Sequence, residues 1–340
     1  MSIGVGIIAV ILLAAAAGQA STVFAPLALA LFIIAIVWPL QNWLKAKMPK
    51  LLALAVTIVV TIAVCLAFAS LAAWGFGRVG RSLTADAARY EALYTATMTW
   101  LDGHGVSVAA LWAEHFNVRW MLGATHQIAG RVTSMLSFGI IAVVYVVLGL
   151  LEVEAIGRRI ELLDNREVAR MLLDGSTATA ARFRKYLLVR TQMSAMTGLL
   201  VGVFAGATGL QFAVEWGVIA FTLNYIPFIG PFVATLFPTL LAMTQFDSWQ
   251  AVLGVFVCLN VIQFVVGSYI EPRVAGHMLS ISPLVVLFSI FFWTFLWGIF
   301  GTFIGVPIAL AILTFCGQHP ASRWIADLFG GSTEAKASKL

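Results

Sequence analysis

Charge is what this sequence has least of. Only 10% of its 340 residues are Asp, Glu, Lys or Arg, against about 25% in ordinary soluble domains. A soluble fold of this size could not cover itself with so few charges, so its excess apolar surface faces lipid. Cysteine is scarce too. Cys65, Cys258 and Cys316 lie in or at the end of apolar segments, where a free thiol acts as a small hydrophobe, and their placement excludes a disulfide framework. Catalytic patterns are missing as well. There is no His-Glu-x-x-His, no Gly-x-Ser-x-Gly and no pair of aspartates, so a membrane-embedded enzyme would lack its machinery, and neither a catalytic residue nor a cofactor is expected. No ring of like charges or filter sequence points to a channel. The net charge of +5 comes from Lys and Arg gathered in loops, with no aromatic-interleaved basic face, which argues against a nucleic-acid partner.

What is present is apolar, with hydrophobic residues at 61% where roughly 45–50% is usual. Apolar runs at about 3–17, 22–40, 51–76, 133–151 and 190–209 approach the roughly 20 residues that a helical span needs. The first run is short, but it lacks a basic stretch before it and the next begins at Val23, so a retained helix is expected rather than a signal peptide. With a cytoplasmic N-terminus, 15 of the 20 basic residues fall inside (Lys45, Lys47, Lys50, the eight from Arg158 to Arg190, Arg273, Arg323, Lys336 and Lys339) and five lie between Arg78 and Arg131. That asymmetry predicts that both termini are cytoplasmic.

The expected organisation is an all-α polytopic transmembrane helical bundle with broken or re-entrant helices in its C-terminal half. Residues 1–76 are N-terminal transmembrane helices and 77–132 an extracytoplasmic amphipathic segment. Residues 133–189 supply a transmembrane helix and a charged cytoplasmic connector, 190–316 form a transport core, and 317–340 are a cytoplasmic tail. In the extracytoplasmic segment Leu83, Ala87, Tyr90, Leu93, Thr97 and Trp100 recur at three- and four-residue steps, the spacing of one helix face. A second such helix holds Leu111, Trp112, His115 and Phe116, and no spacing among His104, Glu114, His115 and His126 matches a metal motif. Between 152 and 189 opposite charges alternate three or four apart, which suits a helix that continues out of the bilayer.

Function is expected where helices must break. Asn224-Tyr225-Ile226-Pro227-Phe228-Ile229-Gly230-Pro231 holds two prolines that remove backbone donors and push their predecessors out of helical geometry. A single helix from Pro283 to Phe315 would run roughly 50 Å against a hydrocarbon core of about 30 Å. It must divide, with Gly298, Gly301, Gly305 and Pro307 as the natural place. Freed backbone at membrane depth has to be buried in protein or line a polar cavity, and two interrupted segments point to a transporter site. The candidate substrate-binding or translocation residues are therefore Asn224, Pro227, Gly230, Pro231, Gln263, Glu271, Arg273, Gly301, Gly305 and Pro307. Asn224 can replace a missing backbone partner or bind substrate. Glu271 and Arg273, flanking Pro272, suit either a functional charge or a salt bridge at a helix end. Glu215 is expected at the membrane boundary.

The motifs Asn224 to Pro231, Glu271-Pro272-Arg273-Val274-Ala275-Gly276, Ser282-Pro283-Leu284 and Gly298 to Pro307 resemble those of the autoinducer-2 exporter family of bacterial permease-like proteins. With the charged connector and the outer segment, the resemblance spans most of the chain. It implies a secondary-transport fold without an ATPase, in a family where some members export autoinducer-2 and others are linked to sodium or proton exchange. It also implies a ring-like homo-oligomer. Glu215 departs from relatives that carry an apolar residue in this stretch, which leaves ion coupling open. The expected function is export of a small polar solute, with membrane lipid and a coupling ion, proton or sodium, as further partners. The alternative is a cation/proton antiporter using Glu271 or Glu215, and a structural or sensory membrane protein is a third reading.

Overall fold

The computed structural model describes residues 4, 12, 14–85, 95, 99, 103, 118–246, 248–276 and 281–330, with 83, 84 and 118–136 described by their backbone alone. The expected surface helices around Tyr90 and Trp112, and the side chains of His104, Glu114, His115 and His126, lie outside that set. So does most of the first apolar run. Among the described residues the structure is helical, apart from an isolated bridge between Ile281 and Gly330. The main elements are α1 (Ser21–Lys45), α2 (Lys50–Ala85), α3 (Val118–Glu161), α4 (Arg166–Ala207), α5 (Ala213–Leu223), α6 (Ile229–Gln245), α7 (Trp249–Phe264), α8 (Glu271–Ala275), α9 (Pro283–Gln318) and α10 (Arg323–Phe329). A π-helical turn, Val265–Ile270, joins α7 to α8.

Six helical stretches among the described residues are long and apolar enough to cross a membrane: Ser21–Lys45, Lys50–Ser82, Ser137–Glu161, Arg166–Ala207, Trp249–Ala275 and Pro283–Gln318. The chain is a multi-pass membrane protein. Large apolar side chains stand exposed along these helices, Phe295 at 87% and Leu199 at 68% among them, as a lipid-facing surface requires.

Local chemistry sets the boundaries. The Asn165 side-chain oxygen accepts the backbone N–H groups of Glu167 and Val168, both at 3.1 Å, and so caps the start of α4. The charged stretch after it is thus part of a helix that continues unbroken into an apolar span. At the other end of α4, Leu210 N–H donates to the Ala205 carbonyl and Gly209 N–H to that of Gly206, with Gly209 at φ +70°. This pair of bonds satisfies the last carbonyls and reverses the chain.

The chain forms two compact units. One comprises Met1–Cys65, Phe138–Thr191 and Glu271–Leu340, and the other Leu66–Ser137 and Gln192–Ile270. The first has two apolar clusters. Ala30, Ile34, Leu54, Val146 and Leu150 join α1, α2 and α3, while Phe32, Phe183, Ile290, Val306 and Leu310 join α1, α4 and α9. The second unit is built on Val201, Ala205, Trp216, Ile219, Ala234, Leu241, Val255 and Leu259. Within it α4 and α5 approach backbone to backbone, since a Cβ at Gly198 would stand 2.7 Å from the Gly217 carbonyl oxygen and one at Gly217 equally close to that of Gly198. Small residues permit such contact, and in lipid close packing is a principal source of helix association.

Candidate functional site

In the second unit the chain from α5 to α6 is a helical hairpin. The two helices have 11 and 17 residues, about 16 and 25 Å, too short for a hydrocarbon core of about 30 Å. Their open ends are tied together. Gln245 Nε2 donates to the Gly209 carbonyl at 2.6 Å, and its Oε1 accepts the Gln211 N–H at 2.9 Å. At the closed end Phe228 adopts φ +63° and ψ −55°, an uncommon conformation for a residue with a side chain. Gly230 follows, where a Cβ would fall on the Leu223 carbonyl. Pro231 sits in the first turn of α6, where a missing N–H is harmless. Ile229 N–H donates to the Pro227 carbonyl at 2.7 Å, closing the turn.

Asn224 and Ser194 are buried at 6% and 0% exposure, and Asn224 Nδ2 donates to Ser194 Oγ at 3.4 Å. This long bond ties the tip to α4. The neighbouring Tyr225 ring packs edge-on against Phe68, with centroids 5.2 Å apart, and against Phe221 at 5.7 Å. The Asn224–Ser194 contact and the aromatic packing of Tyr225 thereby hold the tip. In the same unit Gln263 Nε2 and Thr197 Oγ1 are shut from solvent without a hydrogen-bond partner among the described residues. Buried polar groups in native proteins are nearly always satisfied. Glu215 is closed off rather than open to a cavity: its carboxylate is buried and accepts from Arg78 Nη1 at 2.9 Å.

The first unit carries its own hairpin within α9. Gly298 stands at φ +61°, ψ −140°, a conformation that only glycine reaches at low cost. About this residue the two halves run antiparallel. Thr294 and Thr302 hydroxyls meet at 2.6 Å, a Cβ at Gly301 would fall on the Trp293 carbonyl, and one at Gly305 would stand 2.9 Å from that of Ser289. The chain therefore folds back at Gly298, and Gly301 and Gly305 let the halves touch. Pro307, also buried, lies inside the returning half, where its missing N–H weakens one helical bond. Trp297 Nε1 donates to the Ala17 carbonyl at 3.0 Å.

Also in the first unit, Glu271 opens α8 directly after the π-helical turn and accepts from Arg190 Nη1 of α4 at 3.2 Å. Their side chains are 23% and 12% exposed. Arg190 Nε is buried without a hydrogen-bond partner among the described residues, while Arg273 is exposed.

Two hairpins with close-packed glycine tips suit a membrane transporter, and the sequence profile of the AI-2E family of transporters matches residues 6–320. This chain belongs to the AI-2E transporter family. Its activity class is membrane transport. It is similar to the AI-2 transport protein TqsA of Escherichia coli (strain K12), 29% identical over 316 residues that span 91% of this chain and 90% of TqsA. A Borreliella burgdorferi protein with a provisional transport-protein name is 34% identical over 149 residues, 44% of this chain and 41% of that one. YhhT of Escherichia coli (strain K12), another provisionally named transport protein, is 35% identical over 123 residues, 36% of this chain and 35% of YhhT.

In this AI-2E family member Asn224, Pro227, Gly230 and Pro231 share one hairpin tip, and Gly301, Gly305 and Pro307 share the other hairpin. Gln263 lies in the second unit and Glu271 and Arg273 in the first. Sequence reasoning missed Arg190 and Ser194. Their signal was present: Arg190, Ser194 and Thr197 are polar positions at four- and three-residue steps, one face of a helix.

Proposed function

We propose that this protein is a secondary transporter that exports a small polar solute across the bacterial inner membrane without ATP hydrolysis. Autoinducer-2 is the first candidate, because TqsA, similar over nine-tenths of the chain, carries AI-2 transport in its name. The distribution of basic residues supports cytoplasmic termini, and the family resemblance supports a ring-like homo-oligomer. The observation that carries the reading is the α5–α6 hairpin tip. There non-helical backbone at Phe228 lies beside a buried amide, Asn224, within helices too short to span, an arrangement that secondary transporters use to meet substrates. Gln263, with its unpartnered donor, is a second solute contact.

The test is saturable solute efflux from proteoliposomes under imposed proton and sodium gradients. Efflux lost in both Asn224→Ala and Gln263→Leu, with the folded protein recovered, supports the assignment, and efflux unchanged in both rejects it. A cation/proton antiporter is the second reading, favoured by the partly exposed Glu271 carboxylate in a membrane-spanning segment. It requires cation exchange without solute flux, abolished in Glu271→Gln.

A further inference from the structure

At one end of the α1–α2–α3 bundle in the first unit, cations outnumber carboxylates around a single point. Lys45 Nζ stands 2.8 Å from Glu154 Oε1 and Lys50 Nζ 4.0 Å from Oε2. Arg158, one turn along α3, acts on the same carboxylate. Three positive charges thus converge on one negative charge. Lys47, in the turn between α1 and α2, lies at the same helix ends, over the Trp43 ring at 3.9 Å, while Lys45 lies over Trp38 at 4.7 Å. The surplus is accessible, because the Lys50 side chain is 80% exposed and Lys47 and Arg158 are exposed as well.

This cluster sits where three candidate spans end, at Lys45, Lys50 and Glu161. Within one helical turn of these residues in sequence, Trp43, Leu51 and Leu151 present exposed apolar side chains, Leu51 at 76%. Tryptophan and lysine at a helix end mark the headgroup level of a bilayer. These helix ends therefore combine surplus cations with exposed apolar side chains, which fits a molecule that is anionic at one end and hydrocarbon at the other.

We propose that Lys45, Lys47, Lys50 and Arg158 form a binding site for the headgroup of an anionic phospholipid, whose acyl chains lie along Trp43, Leu51 and Leu151. Glu154 holds Lys45 in place and leaves the other cations to the lipid phosphate. A zwitterionic phospholipid brings its own ammonium group and gains less from the surplus charge. The site does not depend on which solute the protein carries.

The test reconstitutes the protein in nanodiscs of phosphatidylcholine with a minor fraction of phosphatidylglycerol and measures the retained lipids by native mass spectrometry. The native protein enriches phosphatidylglycerol above its bulk fraction. Lys47→Gln/Lys50→Gln lowers that enrichment roughly tenfold, the scale expected when two basic side chains near an anionic surface are removed under partial screening. Arg158→Gln alone lowers it too and stands in should the double variant misfold. Arg323→Gln, a charge loss in α10 where Arg323 lies within 4.0 Å of Asp327, leaves it unchanged. Millimolar inorganic phosphate does not displace the lipid. No enrichment by the native protein, enrichment unaltered in the Lys and Arg158 variants, or displacement by phosphate would each overturn the proposal.

Discussion

A methyl group added at Gly230 tests the hairpin geometry more sharply than any charge change. It would fall on the Leu223 carbonyl and 3.3 Å from the Asn224 nitrogen. Both obstacles are backbone, so no side chain can rotate away, and α5 and α6 must part by on the order of 1 Å. Overpacking of this kind costs about 1–3 kcal/mol, and Gly230→Ala belongs at the upper end. Chains of ordinary domain size lose about 2–4 °C per kcal/mol, so a fall in Tm of roughly 5–10 °C is expected. Gly254→Ala is the matched control. A Cβ there meets nothing within 4 Å, and in an α7 interior position alanine is favoured over glycine by about 0.5–1 kcal/mol. The assay is thermal unfolding in one detergent, paired with solute flux in proteoliposomes. Displacing a binding group by 1 Å can cost up to about a hundredfold in rate, so flux falls in Gly230→Ala and not in Gly254→Ala. Equal melting and equal flux for both would refute the close packing and the role given to the tip.

Other expectations follow from the same contacts. Arg190→Gln and Glu271→Gln each leave one partly buried charge unpaired and lower stability by about 1–3 kcal/mol, whereas the double variant is more stable than either, as a thermal double-mutant cycle would reveal. Gln263→Leu replaces an unpartnered buried donor, so thermal stability holds or rises by about 1 kcal/mol while flux drops. Arg78→Gln strands the buried Glu215 carboxylate and costs about 1–3 kcal/mol in chemical denaturation, and Arg78→Gln/Glu215→Gln recovers part of the loss. Ser194→Ala removes the partner of Asn224 and lowers stability by about 1 kcal/mol, read in the same melts.

The breaks were legible because their chemistry is local. Pro227 and Pro231 each remove a backbone donor and disfavour helical geometry in the residue before them, and a run as long as Pro283 to Phe315 cannot stay single inside a bilayer. The place of the second turn was only bracketed between Gly298 and Pro307. The structure puts it at Gly298, the one glycine there with positive φ, and uses Gly301 and Gly305 for close approach instead. Pairing was not legible. Glu271 lies two positions from Arg273 in sequence, yet it accepts from Arg190, 81 residues away, a choice made by how α4 and α8 pack. Glu215 was expected at the membrane boundary. Burial against Arg78 closes it, and nothing near Glu215 in sequence announces that arginine.

The central claim is that the α5–α6 tip handles a transported polar solute. Efflux of autoinducer-2 and other small polar solutes from proteoliposomes, compared between the native protein and Asn224→Ala at imposed proton and sodium gradients, tests it most directly. Saturable, gradient-dependent efflux that Asn224→Ala reduces at least about tenfold, the scale of a lost buried hydrogen bond, is the expected result. Native efflux that the substitution leaves intact, or no solute efflux under any gradient, would contradict it.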